Sequence, residues 1–382
     1  MRRTLILLSR ILGRLHLWMA SARILEQLHP LSSLDESSVG RLSYSLLMSS
    51  ELPSARRLYR RLLRRNLGKS VPVNLSLGAM AQRLGCLRLA GLIYQRTCRV
   101  PGDSLQLAAA QCMANLVEGT LSASLSADIA AAVDRLNLEP GQAETVILVP
   151  VSSNYLHMFG LWIEQVRQHA HGQIVAMALD PAAKQILERE FCCRALDLSA
   201  FFVFEPDGTI NRSTRGALWI FRVLVLSEFV ARGHTVLSLD IDAMVIANLD
   251  SMLCAFPPAD IVAQQDRSIP MDVTRELGFV LCCGFMLLRP TQSTIAFLES
   301  YRKRTIQELD DQVALNHLIA RSGVTKIVKT TGYMTFESAG VVFVCPDKSL
   351  VSHDIKYGSV IRHFQRRGQS VAELRLELGL NK

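Results

Sequence analysis

An α/β sheet domain preceded by an all-helical part is the architecture the sequence predicts, on three observations. Strand-like and helix-like runs alternate from residue 145 onward, the first 140 residues read as helical throughout, and the charge divides between the same two parts. The 382 residues are 49% hydrophobic and 20% charged, with 22 Gly and 13 Pro. That composition fits a folded protein of two or three domains and excludes a disordered tail, a collagen and a disulfide miniprotein. Residues 1–140 hold 18 Lys and Arg against 9 Asp and Glu, and residues 141–382 hold 24 against 25, so the net charge of +8 arises in the first part.

The opening apolar run, Leu5 to Leu8, is interrupted by Arg10, Arg14 and His16. It is too short for a bilayer span or a secretory signal. Arg2 to Arg23 reads as a first helix of the fold or as a basic amphipathic helix on an anionic surface. The expected location is the cytoplasm, with peripheral contact at the inner membrane face through the basic half. Arg56, Arg57, Arg60, Arg61, Arg64, Arg65 and Lys69, spaced by three and four, share a helix face. No interleaved aromatics or named motif accompany them, so no nucleic-acid partner is expected. Ala55, Tyr59 and Leu62 recur as Ala90, Tyr94 and Thr97 at an offset of 35, with Gly78, Gly85 and Pro101 beside the second set. This resembles the tetratricopeptide repeat, whose helix pairs bind peptides or one another, and a third unit runs from Leu105 to Val133. An unspecialised helical bundle fits as well; a repeat array would make the chain a homo-oligomer.

A boundary is predicted at Pro140-Gly141, dividing the chain into 1–140 and 141–382. Thr145 to Pro150 is a β-branched apolar run of the kind that forms a buried parallel strand. Helices are expected at Tyr155–His169, Pro181–Glu190 and Ala217–Ala231, and strands at Ile174–Leu179 and Thr235–Leu239. Ligands bind such sheets in the crevice beyond the carboxyl ends of the strands. The nine cysteines contain no Cys-x-x-Cys and are expected as buried thiols in a reducing compartment.

Asp240 and Asp242 end the run Val236-Leu-Ser-Leu. Strand alternation would put both carboxylates on one face with Ile241 turned to the core. Two acids 4 Å apart repel by about 1 to 4 kcal/mol, and a hard divalent cation would relieve that while reconciling them with an anionic diphosphate.

The segment Arg215 to Asp242, then Asn248-Leu-Asp250, Cys283-Gly-Phe-Met-Leu-Leu-Arg-Pro290 and Asp310-Asp-Gln-Val-Ala-Leu-Asn316 resembles the nucleotide-diphospho-sugar transferase family over residues 145–365. These are metal-dependent glycosyltransferases of the GT-A, Rossmann-like fold. The resemblance implies transfer of a sugar from a nucleoside diphosphate sugar, UDP-linked and with retention, to a hydroxyl on a protein or glycan acceptor. It also implies residue roles. Asp240 would approach the ribose and the metal, and Asp242 would ligate Mn²⁺ or Mg²⁺. His353 would complete the metal site as a borderline donor. Gly284 would permit close approach of the sugar, and Asp311 and Gln312 would hold its hydroxyls. Ser152, Ser153 and Asn154 would cradle the nucleotide, with Asp180 reaching the base. The usual lysine of the phosphate clamp is not clearly placed: Lys356, Arg362 or Arg366 would stand in, and Arg222 joins the donor-binding set or serves as an ion-pair partner.

Two other readings compete. Phosphatases of the haloacid dehalogenase type also end a strand with Asp-x-Asp, but in an early strand and with Thr or Val where this chain has Met244. A helical-repeat adaptor with an inactive nucleotide-binding domain would not need both carboxylates and the Asp-Gln-x-x-x-Asn run.

Overall fold

The computed structural model describes residues 59–64, 67, 68, 70–138, 145–266, 269–352, 358–363 and 371–378. They divide into two compact units. One takes residues up to Ser126 with Phe201–Leu218 and Ile306–Leu309; the other takes Ala127–Ala200, Trp219–Thr305 and Asp310–Lys382. Pro140-Gly141, the segment Arg2–Arg23 and Ala55 lie outside the described residues.

The first unit is helical, with α1 Val71–Arg83, α2 Leu87–Thr97 and α3 Ser104–Leu121, from which the chain runs on into α4 Ser124–Asp134. Local signals set the ends: Pro72 lies in the first turn of α1, and Asp103 caps α3 by accepting from Leu105 N at 2.8 Å. Helices α1 and α2 approach closely because Gly78 has no side chain; a Cβ there would stand 2.7 Å from Cζ of Tyr94. Burial repeats at the offset noted in the sequence. Tyr59 and Leu62 are buried as Tyr94 and Thr97 are, while Arg61 and Arg64 are exposed as Arg96 and Arg99 are. Among the described residues no single helix is long and apolar enough to cross a membrane.

The second unit is built on a nine-stranded sheet of order β3-β2-β1-β4-β7-β6-β10-β9-β8. Its first half comprises β1 Val146–Val151, α5 Leu156–His169, β2 Gln173–Ala178, α6 Pro181–Arg189, β3 Arg194–Asp197, α7 Arg215–Ala231 and β4 Val236–Leu239, close to the predicted spans. These four strands pair in parallel. Ile147, Val149 and Val151 are fully buried in one cluster with Phe159, Trp162 and Val166 of α5, each such side chain contributing about 1.5–3 kcal/mol. Since β2 and β3 lie on one side of β1 and β4 on the other, the order reverses between β1 and β4, which is where such folds place ligands.

The second half is mixed rather than parallel. It contains β5 Ala243–Val245, α8 Leu249–Cys254, β6 Ile261–Asp266, α9 Met271–Leu277, β7 Val280–Leu288, α10 Gln292–Glu308, α11 Asp311–Ser322, β8 Thr325–Lys329, β9 Tyr333–Ser338 and β10 Val341–Pro346. Strand β7 runs antiparallel between β4 and β6. A small second sheet joins β11 Val351–Ser352 and β12 Ile361–His363 to β5, and α12 Val371–Leu378 follows. All nine cysteines are free thiols, but the expectation that they are buried fails for Cys86, Cys192 and Cys254, which are exposed. Cys86 and Cys192 lie outside the helices and strands, and Cys254 ends α8 at an exposed position.

Candidate metal centre

The two aspartates converge by a turn, not by the strand alternation expected from the sequence. Strand β4 ends at Leu239, and Ala243 N donates to Asp240 O at 2.9 Å, closing Asp240–Ala243 into a tight reversal. Ile241 is 9% exposed and packs into the core cluster as predicted. That buried residue anchors the reversal, so the carboxylates on either side of it stay at the carboxyl end of β4.

The third member of the cluster is a histidine that the sequence reading did not single out. Strand β12 pairs antiparallel with β5, setting His363 opposite Ala243, next to Asp242. His363 Nε2 lies 3.0 Å from Asp242 Oδ1, across 121 residues of sequence, and 3.8 Å from Asp240 Oδ2. One ligand atom from each of Asp240, Asp242 and His363 lies within 4.8 Å of the others. On its other edge, His363 Nδ1 lies 3.4 Å from Gln264 Oε1 of β6. An Nδ1–H donated to that carbonyl leaves the Nε2 lone pair directed at the carboxylates, the arrangement a ligating histidine uses. Burial works against charging His363, but its hydrogen bonds with Asp242 and Cys282 outweigh burial and hold its pKa well above the usual value. His353, the histidine the resemblance indicated, and Lys356 lie outside the described residues.

Gly284 sits at the centre of this cluster, where the neighbouring side chains themselves require a residue without Cβ. A Cβ on it would collide with the His363 ring and stand 2.9 Å from Asp240 Oδ2. The bare glycine therefore leaves room for the protein's own ligands. Its carbonyl accepts from Asp240 N at 2.9 Å. Around it the β6–β7 register shifts: Ala263 faces Met286 while Gln264 faces Cys282, so the pairing skips Cys283, Gly284 and Phe285. Such a bulge re-aims the strand next to a site. Below it, Asn316 of α11 clasps Leu281 with its carboxamide, accepting from Leu281 N and donating to Leu281 O, both at 2.7 Å. The side chain thus acts as a local strand partner for main chain that would otherwise be buried without one.

Behind the aspartates lies a buried ion-pair network. Arg222 of α7 is 2% exposed. It binds Asp240 Oδ1 through Nη1 and Asp311 Oδ2 through Nη2, and its Nε donates to Asp311 Oδ2 at 2.6 Å. Its guanidinium carbon stands 4.8 Å above the Trp219 ring centroid, so Trp219 supports the cation and is not only core filling. Burial opposes the Arg222 charge, yet Asp311 and Asp240 outweigh it and keep the pKa well above its ordinary value. Burial pushes the Asp311 carboxyl up to about 6 against the pull of Arg222. Asp311 begins α11, capped by Asp310, whose Oδ1 accepts from Val313 N at 2.9 Å, and is itself buried at 2% exposure. Arg222 takes Asp240 by Oδ1 alone, leaving Oδ2 on the side of His363.

The remaining predicted residues distribute as follows. Ser152 is buried directly after β1, and Asn154 is exposed in the turn Ser153–Tyr155. Asp180 is committed to backbone: Oδ2 accepts from Ser153 N at 2.7 Å and Oδ1 from Ala183 N at 2.8 Å. It shapes the loop after β1 and caps α6. Gln312 Nε2 donates to Ile269 O at 2.9 Å, tying α11 to the chain before α9.

Two carboxylates and an imidazole form an oxygen–oxygen–nitrogen donor set suited to Mn²⁺ or Mg²⁺, and the site lies at the sheet's reversal point. Residues 169–356 match the family described as nucleotide-diphospho-sugar transferase. The match takes in Arg222, the turn, Gly284, Asp311 and Asn316, and stops before His363. Among solved structures, the apo structure of WbbM, a bifunctional glycosyltransferase, is similar at 16% identity with a TM-score of 0.34; the similarity covers 47% of this chain and 38% of that one. No curated protein matches the chain.

Proposed function

We propose that this protein is a metal-dependent glycosyltransferase that moves a sugar from a nucleoside diphosphate sugar, UDP-linked, to a hydroxyl of a protein or glycan, with retention. The observation that carries this reading is the gathering of Asp240, Asp242 and His363 at the carboxyl end of β4, with both aspartates inside the stretch, residues 169–356, that matches the nucleotide-diphospho-sugar transferase family. Asp240, Asp242 and His363 would hold Mn²⁺ or Mg²⁺. When bound, the ion supplies positive charge to neutralise the departing diphosphate.

The protein's own groups supply the rest. Arg222 fixes Asp240 from behind, so that carboxylate keeps one orientation. The loop Ser152–Asn154, shaped by Asp180, receives the nucleotide. Gln312, at the start of α11, orients sugar hydroxyls, with Asp311 held beneath it by Arg222. Because Asp311 is buried against that guanidinium it is poorly placed as a nucleophile, and in a front-face reaction a leaving-phosphate oxygen accepts the acceptor proton. The helices before residue 140 present the acceptor or pair two copies of the chain.

The test is release of nucleoside diphosphate from a panel of UDP-sugars by purified protein, with Mn²⁺, with Mg²⁺ and with chelator. Turnover that needs the metal is expected. No turnover and no nucleotide binding with Mn²⁺ across the panel would sink the reading.

A further inference from the structure

We propose that the arginine-rich face of residues 59–99 is a docking surface for an anionic lipid bilayer. Residues 52–102 contain ten Arg and one Lys and no Asp or Glu. Arg88 and Arg96 therefore have no acidic residue three or four positions away, the usual partner of a cation on a solvated helix face. On α2 the exposed residues Arg88, Leu92 and Arg96 are spaced by four and so form one stripe, and the exposed Arg99 follows two residues past the helix end. Arg88, Arg96 and Arg99 have no ion-pair partner among the described residues. The exposed arginines Arg61 and Arg64 occupy the positions matching Arg96 and Arg99 one offset earlier, which repeats the pattern in the helical residues 59–64.

Two features select a bilayer over other polyanions. The cation is almost always arginine, whose planar fork binds phosphate oxygens in pairs. In the middle of the α2 stripe stands Leu92, 63% exposed, an apolar side chain between two guanidiniums. A membrane interface meets both chemistries at once, phosphate at the level of the arginines and acyl carbon beneath for the leucine. A single-stranded nucleic acid would call for exposed stacking rings, and the aromatics of this region, Tyr59 and Tyr94, are buried. The proposal stands apart from the metal centre and does not depend on it.

The experiment is co-flotation of the full chain with phosphatidylcholine vesicles and with vesicles containing about one-third phosphatidylglycerol, at about 0.05 M and about 0.5 M salt. Binding is expected to the anionic vesicles only and to fall at high salt. Each arginine is worth about fivefold in partitioning, so Arg88→Gln/Arg96→Gln/Arg99→Gln should lower it about a hundredfold with an unchanged circular dichroism spectrum. Leu92→Ser should lower it about tenfold at either salt. Equal binding to neutral vesicles, no effect of the triple variant, or capture by RNA without capture by anionic vesicles would each overturn the proposal. Because Mn²⁺-dependent sugar-nucleotide turnover is measured without lipid, loss of that activity would leave this result standing, and the converse holds too.

Discussion

Asp242 and Asp311 flank Asp240 on opposite sides, and their surroundings differ in kind. Asp311 is almost wholly buried and balanced by a permanent cation, Arg222. Asp242 has a side chain about one-third exposed and is balanced by His363, which can lose its proton. The first arrangement is closed, since nothing can replace Arg222 without leaving a buried carboxylate alone. The second is exchangeable, because a divalent ion can take the place of a proton on His363. Asp240 belongs to both, giving one oxygen to the fixed pair and facing the exchangeable one with the other.

The contrast can be broken at four points, beginning with the largest effect. Asp242→Ala removes a ligand on the exchangeable side. Sugar-nucleotide turnover should drop about a thousandfold, while the melting temperature moves by less than about 2 °C. A large melting shift would mean that Asp242 is structural. Arg222→Ala strikes the closed side and should cost about 3–5 kcal/mol of stability, lowering the melting temperature by about 10 °C. Adding Asp311→Leu should restore much of that loss, because the orphaned carboxylate goes with it; no recovery would contradict the account of the pair.

The third prediction concerns pH and sharpens the word exchangeable. In the metal-free protein His363 carries a proton that it must release to ligate, so Mn²⁺ affinity should fall about tenfold for each pH unit below the His363 pKa. The same raised pKa makes the proton stabilising. Its contribution is complete below the unfolded value of about 6.5 and is lost as pH rises through the folded value. Mn²⁺ should therefore raise the melting temperature more at pH 8 than at pH 6, and His363→Ala should abolish the difference. The smallest effect belongs to Asn316→Ala, which orphans the Leu281 N–H and carbonyl. It should cost about 1–3 kcal/mol and weaken Mn²⁺ binding only a few-fold, through the bulge that carries Gly284. Unchanged metal affinity in the folded variant would confine Asn316 to a structural role.

Strand β4, its two acids, the buried Ile241 and the parallel half of the sheet are written in neighbouring residues, since periodicity and strand ends are short-range properties. Arg222, Asp311 and Gly284 were also legible, though only as members of motifs. The tertiary structure gives them partners that the motifs did not name: Asp311 answers a buried arginine, and Gly284 makes way for a histidine. His363 left no local mark, because Ile361-Arg-His363 is an ordinary short strand whose meaning comes from its pairing with β5. The clasp of Asn316 on Leu281 and the turn at Asp240 are likewise contacts between distant or reversing segments of chain. The order of residues dictates which side chains a strand or helix can offer; which of them share a few ångströms around an ion is set by long-range pairing, and that follows from packing the whole sheet.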